Sequence, residues 1–435
     1  MFTASVHAAP RAKRQRYALA LMLALCSTFG STVVAQPVLT FDQALRLAQD
    51  RSRQLVAQDY AAAGAREMAV AAAQLPDPTL RAGVNDLPIN GPDRFSLTRD
   101  SFTMRSISVM QEFTREDKRK ARATRFDREA EVAEAGRIQA LANLQRDTAL
   151  AWLDRYYQER VREILLAQRD EARLQIDAAD AVYRGGRGSQ ADVFSARAAV
   201  AQIEDRIAQA DRQIATAKSR LARWVGAAAN EPLSAAPNTD AFRVDWARLD
   251  DHISHHPQVE VMIRQEQVAR AEAEIAQANK RSDWSAELMY SQRGPAYSNL
   301  ISINFSIPWQ LDRRNRQDRE LGAKLALIDQ LQAQREEATR EHVADARTWL
   351  QQWQSNRDRL ARYDDSLLPL SAERTRAALA GYRGSSAPLG SVLEARRMEI
   401  DTRLERIRLE MENAGLWAQL EYLIPASSVI KGDPK

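Results

Sequence analysis

Residues 183–224 read YRGGRGSQADVFSARAAVAQIEDRIAQADRQIATAKSRLARW, and within them Val193, Ala196, Val200, Ile203, Ile207, Ala210, Ile214, Ala217, Leu221 and Trp224 recur in steps of three and four without a miss. That spacing lines one seam of a helix with apolar side chains and predicts coiled-coil packing. The approach to this stretch, from about 115 to 183, is helical in pattern throughout, and at ~1.5 Å per residue it would extend on the order of 100 Å if unbroken. No compact globular domain holds such an element, so the glycine-bearing turn between the two runs joins an elongated helical hairpin.

The motif at the turn returns later in the chain. Tyr183-Arg184-Gly185 recurs as Tyr382-Arg383-Gly384, and at the same offset Val193 meets Val392 and Ala196-Arg197 meets Ala395-Arg396. Several matches in one register predict two repeats. The first repeat covers 36–229, with a helix over about 41–74, a strand pair within 79–113 and a hairpin turn near 184–190. The second covers 257–425, with a helix over about 257–281, a strand pair within 284–308 and a turn near 383–390. Residues 230–256 read as a linker or equatorial segment, beginning with the proline-bearing stretch Asn230 to Asn238, and 426–435 as a tail. Thr40 with Gln43 forms a capping box, and Pro257 suits a first helical turn.

The strands argue against a plain rod. Thr79 to Pro88 and Met104 to Phe113 form one pair, Trp284 to Arg293 and Asn299 to Pro308 the other, each strand about as long as a tilted transmembrane strand. Ile301, Ile303, Phe305 and Ile307 alternate with Ser302, Asn304 and Ser306, so one face suits lipid and the other water. In the first pair Ile107, Val109 and Phe113 are interrupted by Gln111. Trp284, Tyr290, Tyr297 and Trp309 stand where an interfacial aromatic girdle would place them. Four strands cannot close a bilayer barrel, because an open edge in lipid strands backbone hydrogen-bonding groups. If the strands span a membrane, several copies must share one barrel.

Composition narrows the function. The 435 residues carry 62 Lys+Arg against 58 Asp+Glu, for a formal charge of +4. A mean hydropathy of −0.48 and the lack of any apolar run of helix-spanning length exclude a polytopic helical transporter. Arg11, Lys13, Arg14 and Arg16 followed by the apolar stretch Tyr17–Cys26 read as a secretory leader over 1–35, with cleavage after Ala35. Its loss removes those four cations and leaves 58 basic against 58 acidic residues, which takes away the support for nucleic acid as a partner. Cys26, the single cysteine, has two readings: an apolar residue of the discarded leader, or, in Leu23-Ala24-Leu25-Cys26, an acylated lipoprotein cysteine.

Taken together, these features resemble the TolC family of outer-membrane efflux ducts, over nearly the whole mature chain from Leu39 to Leu423. The resemblance implies a mainly α fold with a small β part, assembled as a homotrimer with a twelve-stranded barrel in outer-membrane lipid on a periplasmic α-helical barrel. It also implies a periplasmic adaptor and an inner-membrane pump of the resistance-nodulation-division type as partners. The stretches Trp284 to Tyr297 and Asp312-Arg313-Arg314-Asn315-Arg316-Gln317-Asp318 are similar to the heavy-metal branch, the CzcC-type outer components. The family pattern carries a periplasmic gate onto Tyr382, Asp192 and Glu394. Ala387 and Ser391 depart from it, standing where an arginine and an acid are expected, so a salt-bridge lock does not carry over and a constriction of Tyr382 with an acidic ring does.

Other candidate residues lie at the turns. Gly185, Gly186, Gly188 and Gly384 would permit the chain reversals. Tyr183, Arg184, Arg187 and Arg383 could face an adaptor or simply keep the tip soluble. Three copies of Asp192 and Glu394 around one axis would attract cations, whereas pairing with neighbouring arginines on a solvated face would make both acids ordinary. His252, His255 and His256 have helical spacing but precede Pro257, which favours a polar segment before the helix over a metal site. There is no nucleophile elbow, P-loop or zinc-protease motif, and no cofactor is called for. The competing class is a secreted coiled-coil scaffold or adhesin without a pore.

Overall fold

The structure is a computed structural model that describes residues 38–243, 256–384 and 386–426. The expected leader at 1–35 with Cys26, His252 and His255, residues 244–255 of the expected linker and nearly all of the expected tail lie outside the described residues.

Helices α1 (Phe41–Arg51) and α2 (Arg53–Ala72) lead into strands β1 (Thr79–Asn85) and β2 (Met104–Phe113), then into α3 (Glu116–Arg184) and α4 (Gln190–Val225). The second half runs α5 (Pro257–Ala278), β3 (Trp284–Gln292), β4 (Leu300–Ser306), α6 (Gln317–Arg362), α7 (Leu368–Arg383) and α8 (Leu389–Glu421). Among the described residues no helix is long and apolar enough to cross a membrane, which says nothing about a β-barrel.

The helical seam is where the periodicity puts it. Val193, Ala196, Val200, Ile203, Ile207, Ala210, Ile214, Ala217 and Leu221 are all buried. At its end Val225, not Trp224, is the buried position, because a step of four from Leu221 reaches Val225. Helix α3 runs unbroken for 69 residues, so the hairpin has the length expected of it.

Two long helices expected from the sequence are interrupted. The first breaks at Ser52, whose backbone N–H donates to the Gln49 carbonyl while its hydroxyl accepts from the Leu55 N–H at 3.4 Å. A serine hydroxyl competes with the helix ladder in this way. In the second half α6 and α7 are joined by a π turn, Tyr363–Leu367, ahead of Pro369. Arg406 of α8 grips this turn through both oxygens of Asp364, at 2.7 and 3.1 Å. No such turn interrupts α3.

The four strands form one antiparallel sheet in the order β1-β2-β3-β4. The register sorts its faces. Leu80, Ala82 and Val84 pair in sequence with Val109, Ile107 and Arg105, Ile107 and Val109 with Tyr290 and Leu288, and these with Ile301 and Ile303. Apart from Arg105, Gln111 and Gln292 that face is apolar, and Gln111 turns its amide to the carbonyls of Pro76 and Glu112, both at 2.8 Å. The opposite face carries Arg81, Ser106, Ser108, Glu287, Ser302 and Asn304. Glu287 accepts from Ser108 at 2.7 Å and Asn304 at 3.4 Å and pairs with Arg81 at 3.9 Å, tying the four strands together across it. The loops at the far end press together so closely that a Cβ on Gly294 would sit 1.8 Å from the Thr98 carbonyl oxygen, so no other residue fits there.

The main core lies midway along the molecule, where Leu39, Phe41, Trp152, Leu221, Ala346, Trp353, Trp417 and Leu420 meet. Phe41 meets the Trp152 ring edge-on at 5.5 Å. The expected linker is pinned here: Leu39 donates to Pro232 at 2.8 Å, Ser234 donates to Leu39, and the Trp353 and Trp417 indoles bond the Thr239 and Ala241 carbonyls. Arg155, only 2% exposed, donates to the carbonyls of Ala229 and Glu231, both at 2.7 Å, and to Glu159 at 2.8 Å. It fastens the return from α4 onto α3. Replacing Arg155 with Ala orphans two carbonyls in a closed core, and at about 1–3 kcal/mol per unsatisfied group we expect a loss of about 3 kcal/mol. Thermal unfolding of the purified variant beside Arg155→Lys, which restores part of the loss, checks this.

Candidate functional site

At the end remote from the sheet, the two helical hairpins close on one small apolar cluster. Ala179, Val193, Ala196, Leu389 and Val392 are buried in it, with Ile176, Ala378, Leu379, Tyr382 and Leu393 packed around them. The structure thus brings both Tyr-Arg-Gly turns to one tip, but their tyrosines differ. Tyr382 is half-buried against the cluster, whereas Tyr183 points to solvent. Arg184 pairs with Asp180 on its own helix.

The glycines at the tip are not equivalent. Gly186 has φ +69°, the left-handed region that disfavours a side chain. Gly188 lies against Val182, where a Cβ would stand 3.0 Å from Cγ1. Gly185 and Gly384 have φ of −76° and −80°, open to any residue, so the expected need for glycine does not hold at these two.

Asp192 and Glu394 occupy different settings. Asp192 completes a capping box at the start of α4: its Oδ2 accepts from the Ser189 N–H at 3.2 Å and hydroxyl at 2.8 Å, while the Asp192 N–H donates to Ser189 Oγ. Part of its charge is committed to the helix end, where a carboxylate is favoured by the unpaired N–H groups. Glu394 is exposed on α8 and bonds Arg397 one turn on at 3.2 Å. It also lines a groove of about 400 Å³ with Gln168, Gln175, Gln202 and Arg206. Ser391 donates its hydroxyl to the Pro388 carbonyl at 2.7 Å.

The four aromatics expected in a girdle divide between the two ends of the sheet. Trp284 stacks on Phe113 at 4.2 Å beside the helices, and Trp309 stands exposed just past β4 at the same end. Tyr290 bonds Asn299 at 2.8 Å, and Tyr297 lies in the far turn under the Arg293 guanidinium.

Of the histidines, His256 is described and acts as the N-cap of α5, its Nδ1 accepting from the Gln258 N–H at 3.2 Å. Sequence spacing did not connect it to His342 of α6, whose ring stacks on it at 4.2 Å. Arg146, Asp345 and Gln419 share the cavity of about 120 Å³ around the pair. No group of three or more metal-ligating side chains occurs among the described residues. Burial, with His342 and Arg146 adding to it, lowers the His256 pKa to about 4.

The π turn was also missed. A signal for it exists, since Ala149-x-x-Trp152-Leu153 recurs as Ala346-x-x-Trp349-Leu350, yet the interval from Trp349 to Tyr382 is two residues longer than from Trp152 to Tyr183. A π turn takes up surplus residues without ending the helix.

No family model and no curated protein matches the sequence. Solved structures do. The outer membrane protein VceC of Vibrio cholerae superposes with a TM-score of 0.71 at 18% identity, over 88% of this chain and 95% of that one. The chain has the fold of an outer-membrane channel. The same channel fold relates it to the Campylobacter jejuni CmeC outer membrane channel, with a TM-score of 0.73 at 11% identity over 89% and 86% of the two chains. It also relates it to the open state of the Neisseria gonorrhoeae MtrE outer membrane channel, at 0.67 and 16% over 88% of each. What is shared at these identities is the architecture, a mainly α chain with one small sheet.

Two predictions follow from this geometry. Gly186→Ala, forced into a left-handed backbone, costs about 1 kcal/mol locally and speeds amide exchange over residues 180–192, while Gly384→Ala leaves exchange over 376–392 unchanged. For His256, the folded pKa lies below the ordinary value near 6.5, so the unfolded chain binds more protons between the two. Stability is then full above about pH 6.5 and falls as pH drops toward about 4. His256→Asn, which keeps a capping acceptor, flattens that slope in chemical denaturation.

Proposed function

We propose that this chain is the outer-membrane duct of a tripartite efflux system, a passive conduit secreted across the inner membrane and assembled from three copies. The observation that carries the reading is the sheet: four strands with two open edges, β1 and β4, an apolar face and a polar face. Three such sheets joined edge to edge give twelve strands with the apolar face toward lipid and Arg81, Glu287 and Asn304 toward a water-filled interior. The structural kinship with outer-membrane channels supports the same assembly.

In this reading the long hairpins form a tunnel through the periplasm whose far end is the shared tip. A periplasmic adaptor would meet the tip around Tyr183, Arg184, Arg187 and Arg383, and an inner-membrane pump of the resistance-nodulation-division type would supply energy and substrate choice. Divalent heavy-metal cations are the cargo class we put forward, on the wording of the Asp312–Asp318 stretch and on the acids at the tip. Tyr382, Asp192 and Glu394 are the proposed constriction, with Asp192 serving its helix cap and the ring at once.

The pore-free scaffold is disfavoured by Ile301, Ile303, Phe305 and Ile307, which are 64–73% exposed on the chain alone and would face water on a rod. Outer-membrane fractionation followed by sizing in detergent should give a particle of three copies, and a monomeric soluble rod would refute the duct. In planar bilayers, Asp192→Ala with Glu394→Ala should lower the cation-over-anion permeability ratio several-fold. Unchanged selectivity would remove the acids from the constriction. Asp192→Asn, which keeps hydrogen-bonding capacity at the cap, separates loss of charge from loss of the helix end.

A further inference from the structure

The segment after β4 reads Ile307-Pro308-Trp309-Gln310-Leu311-Asp312-Arg313-Arg314-Asn315-Arg316. The apolar ladder of β4 continues into it in steps of two, through Ile307, Trp309 and Leu311. Trp309 and Leu311 are 85% and 87% exposed, the most exposed large apolar side chains among the described residues. The segment is nevertheless anchored. Ser282 donates to the Pro308 carbonyl at 2.5 Å, Gln310 donates to the Asn279 carbonyl at 2.9 Å, and Asp312 accepts from the Asn315 N–H and side-chain amide at 3.2 and 3.1 Å.

The charge here is unbalanced, unlike that of the corresponding junction in the first repeat. There Arg115 pairs with Asp117, Lys118 with Asp283 at 2.6 Å and Lys120 with Glu116 at 2.6 Å, while Arg119 donates to the Ala73 carbonyl at 2.7 Å. In the second repeat Arg313, Arg314 and Arg316 are exposed and make no side-chain ion pair or hydrogen bond among the described residues. Asp318 is held by Lys280 at 2.8 Å and influenced more weakly by Arg313. Asp312 spends its carboxylate on Asn315.

Their level relative to the membrane follows from the ladder. From Ile301 to Leu311 the chain rises about 33 Å at ~3.3 Å per residue if extended, and a tilt of about 45° reduces this to roughly 23 Å of height, close to the ~25 Å apolar band of an outer-membrane barrel. The three guanidiniums therefore begin where the hydrocarbon ends, on the side of the helices. A guanidinium presents paired donors that match phosphate oxygens, and a cluster of cations at this level attracts anionic headgroups.

We propose that Trp309 and Leu311, with Arg313, Arg314 and Arg316, form a seat for anionic phospholipid headgroups in the leaflet facing the helices. The inference rests on the membrane reading above and adds a lipid class to it. To test it, the full chain is reconstituted into vesicles of phosphatidylethanolamine with or without phosphatidylglycerol, extracted in mild detergent, and its retained lipid measured by native mass spectrometry.

The wild-type protein should retain phosphatidylglycerol over phosphatidylethanolamine by about tenfold, an enrichment that declines as salt is raised. A variant carrying Arg313→Gln, Arg314→Gln and Arg316→Gln should lose it, and neutralising Arg160, Arg169 and Arg173 on the hairpin shaft should not. Insertion into both vesicle types with no enrichment, or enrichment that survives the triple substitution, would overturn the lipid seat while leaving the duct standing. Displacement by inorganic phosphate at equal concentration would assign the arginines to free phosphate and overturn it as well. Failure to insert into either vesicle would overturn both readings.

Discussion

Along β1 and β4 the sheet ends in rows of backbone N–H and C=O groups that no further strand among the described residues pairs. In water such edges are tolerable; in hydrocarbon each unpaired group costs several kcal/mol. This constraint links the sheet to everything else. Because four strands cannot close on themselves, a membrane-spanning sheet of this kind requires partners, and identical copies related by rotation supply them. In the proposed assembly a ring of copies would set the helical hairpins around a common axis, and the two acids at each tip would form a ring.

The mid-molecule core lets one chain serve both ends. The aromatic cluster of Phe41, Trp152 and Trp417 and the buried Arg155 hold Leu39 and the start of α1, the return from α4 and the end of α8 against the shafts of α3 and α6. The sheet at one end and the tip at the other are thereby fixed to a common base about which the hairpins extend. The two hairpins are not copies in detail. One shaft is a continuous helix, and the other carries a π turn clamped by Arg406 to Asp364, so the repeats share a plan while differing where the second shaft leaves the core.

Much of this was legible in the sequence because it depends on short-range pattern. Steps of three and four marked the seam from Val193 to Leu221, alternation marked β4, and Thr40 with Gln43 marked the first cap; all appear where the pattern placed them. What escaped depends on partners distant in the chain or on local competition. Nothing near His256 announces His342, and Arg155 looks like any surface arginine of a helix until Ala229 and Glu231 fold over it. Ser52 could sit inside a helix or break one. The glycines at the turn look alike in the sequence, and only the backbone distinguishes Gly186, which needs to be glycine, from Gly185, which does not. Ser189-x-x-Asp192 is itself a capping pattern, and its cap geometry qualifies the reading of Asp192 as a pore acid.

In the proposed duct, β1 of one copy pairs with β4 of the next. Within one chain these edges are three strand spacings apart, about 14 Å, well beyond the ~7 Å limit for a disulfide, so any bond between them joins two molecules. Single cysteines on the polar face of β1, at Arg81 or Gly83, combined with single cysteines at Ser302 or Asn304 of β4, should under oxidation in intact outer membranes yield covalent species of up to three chains and no more. Linkage that stops at two chains, continues beyond three, or fails for every pairing would contradict the shared barrel.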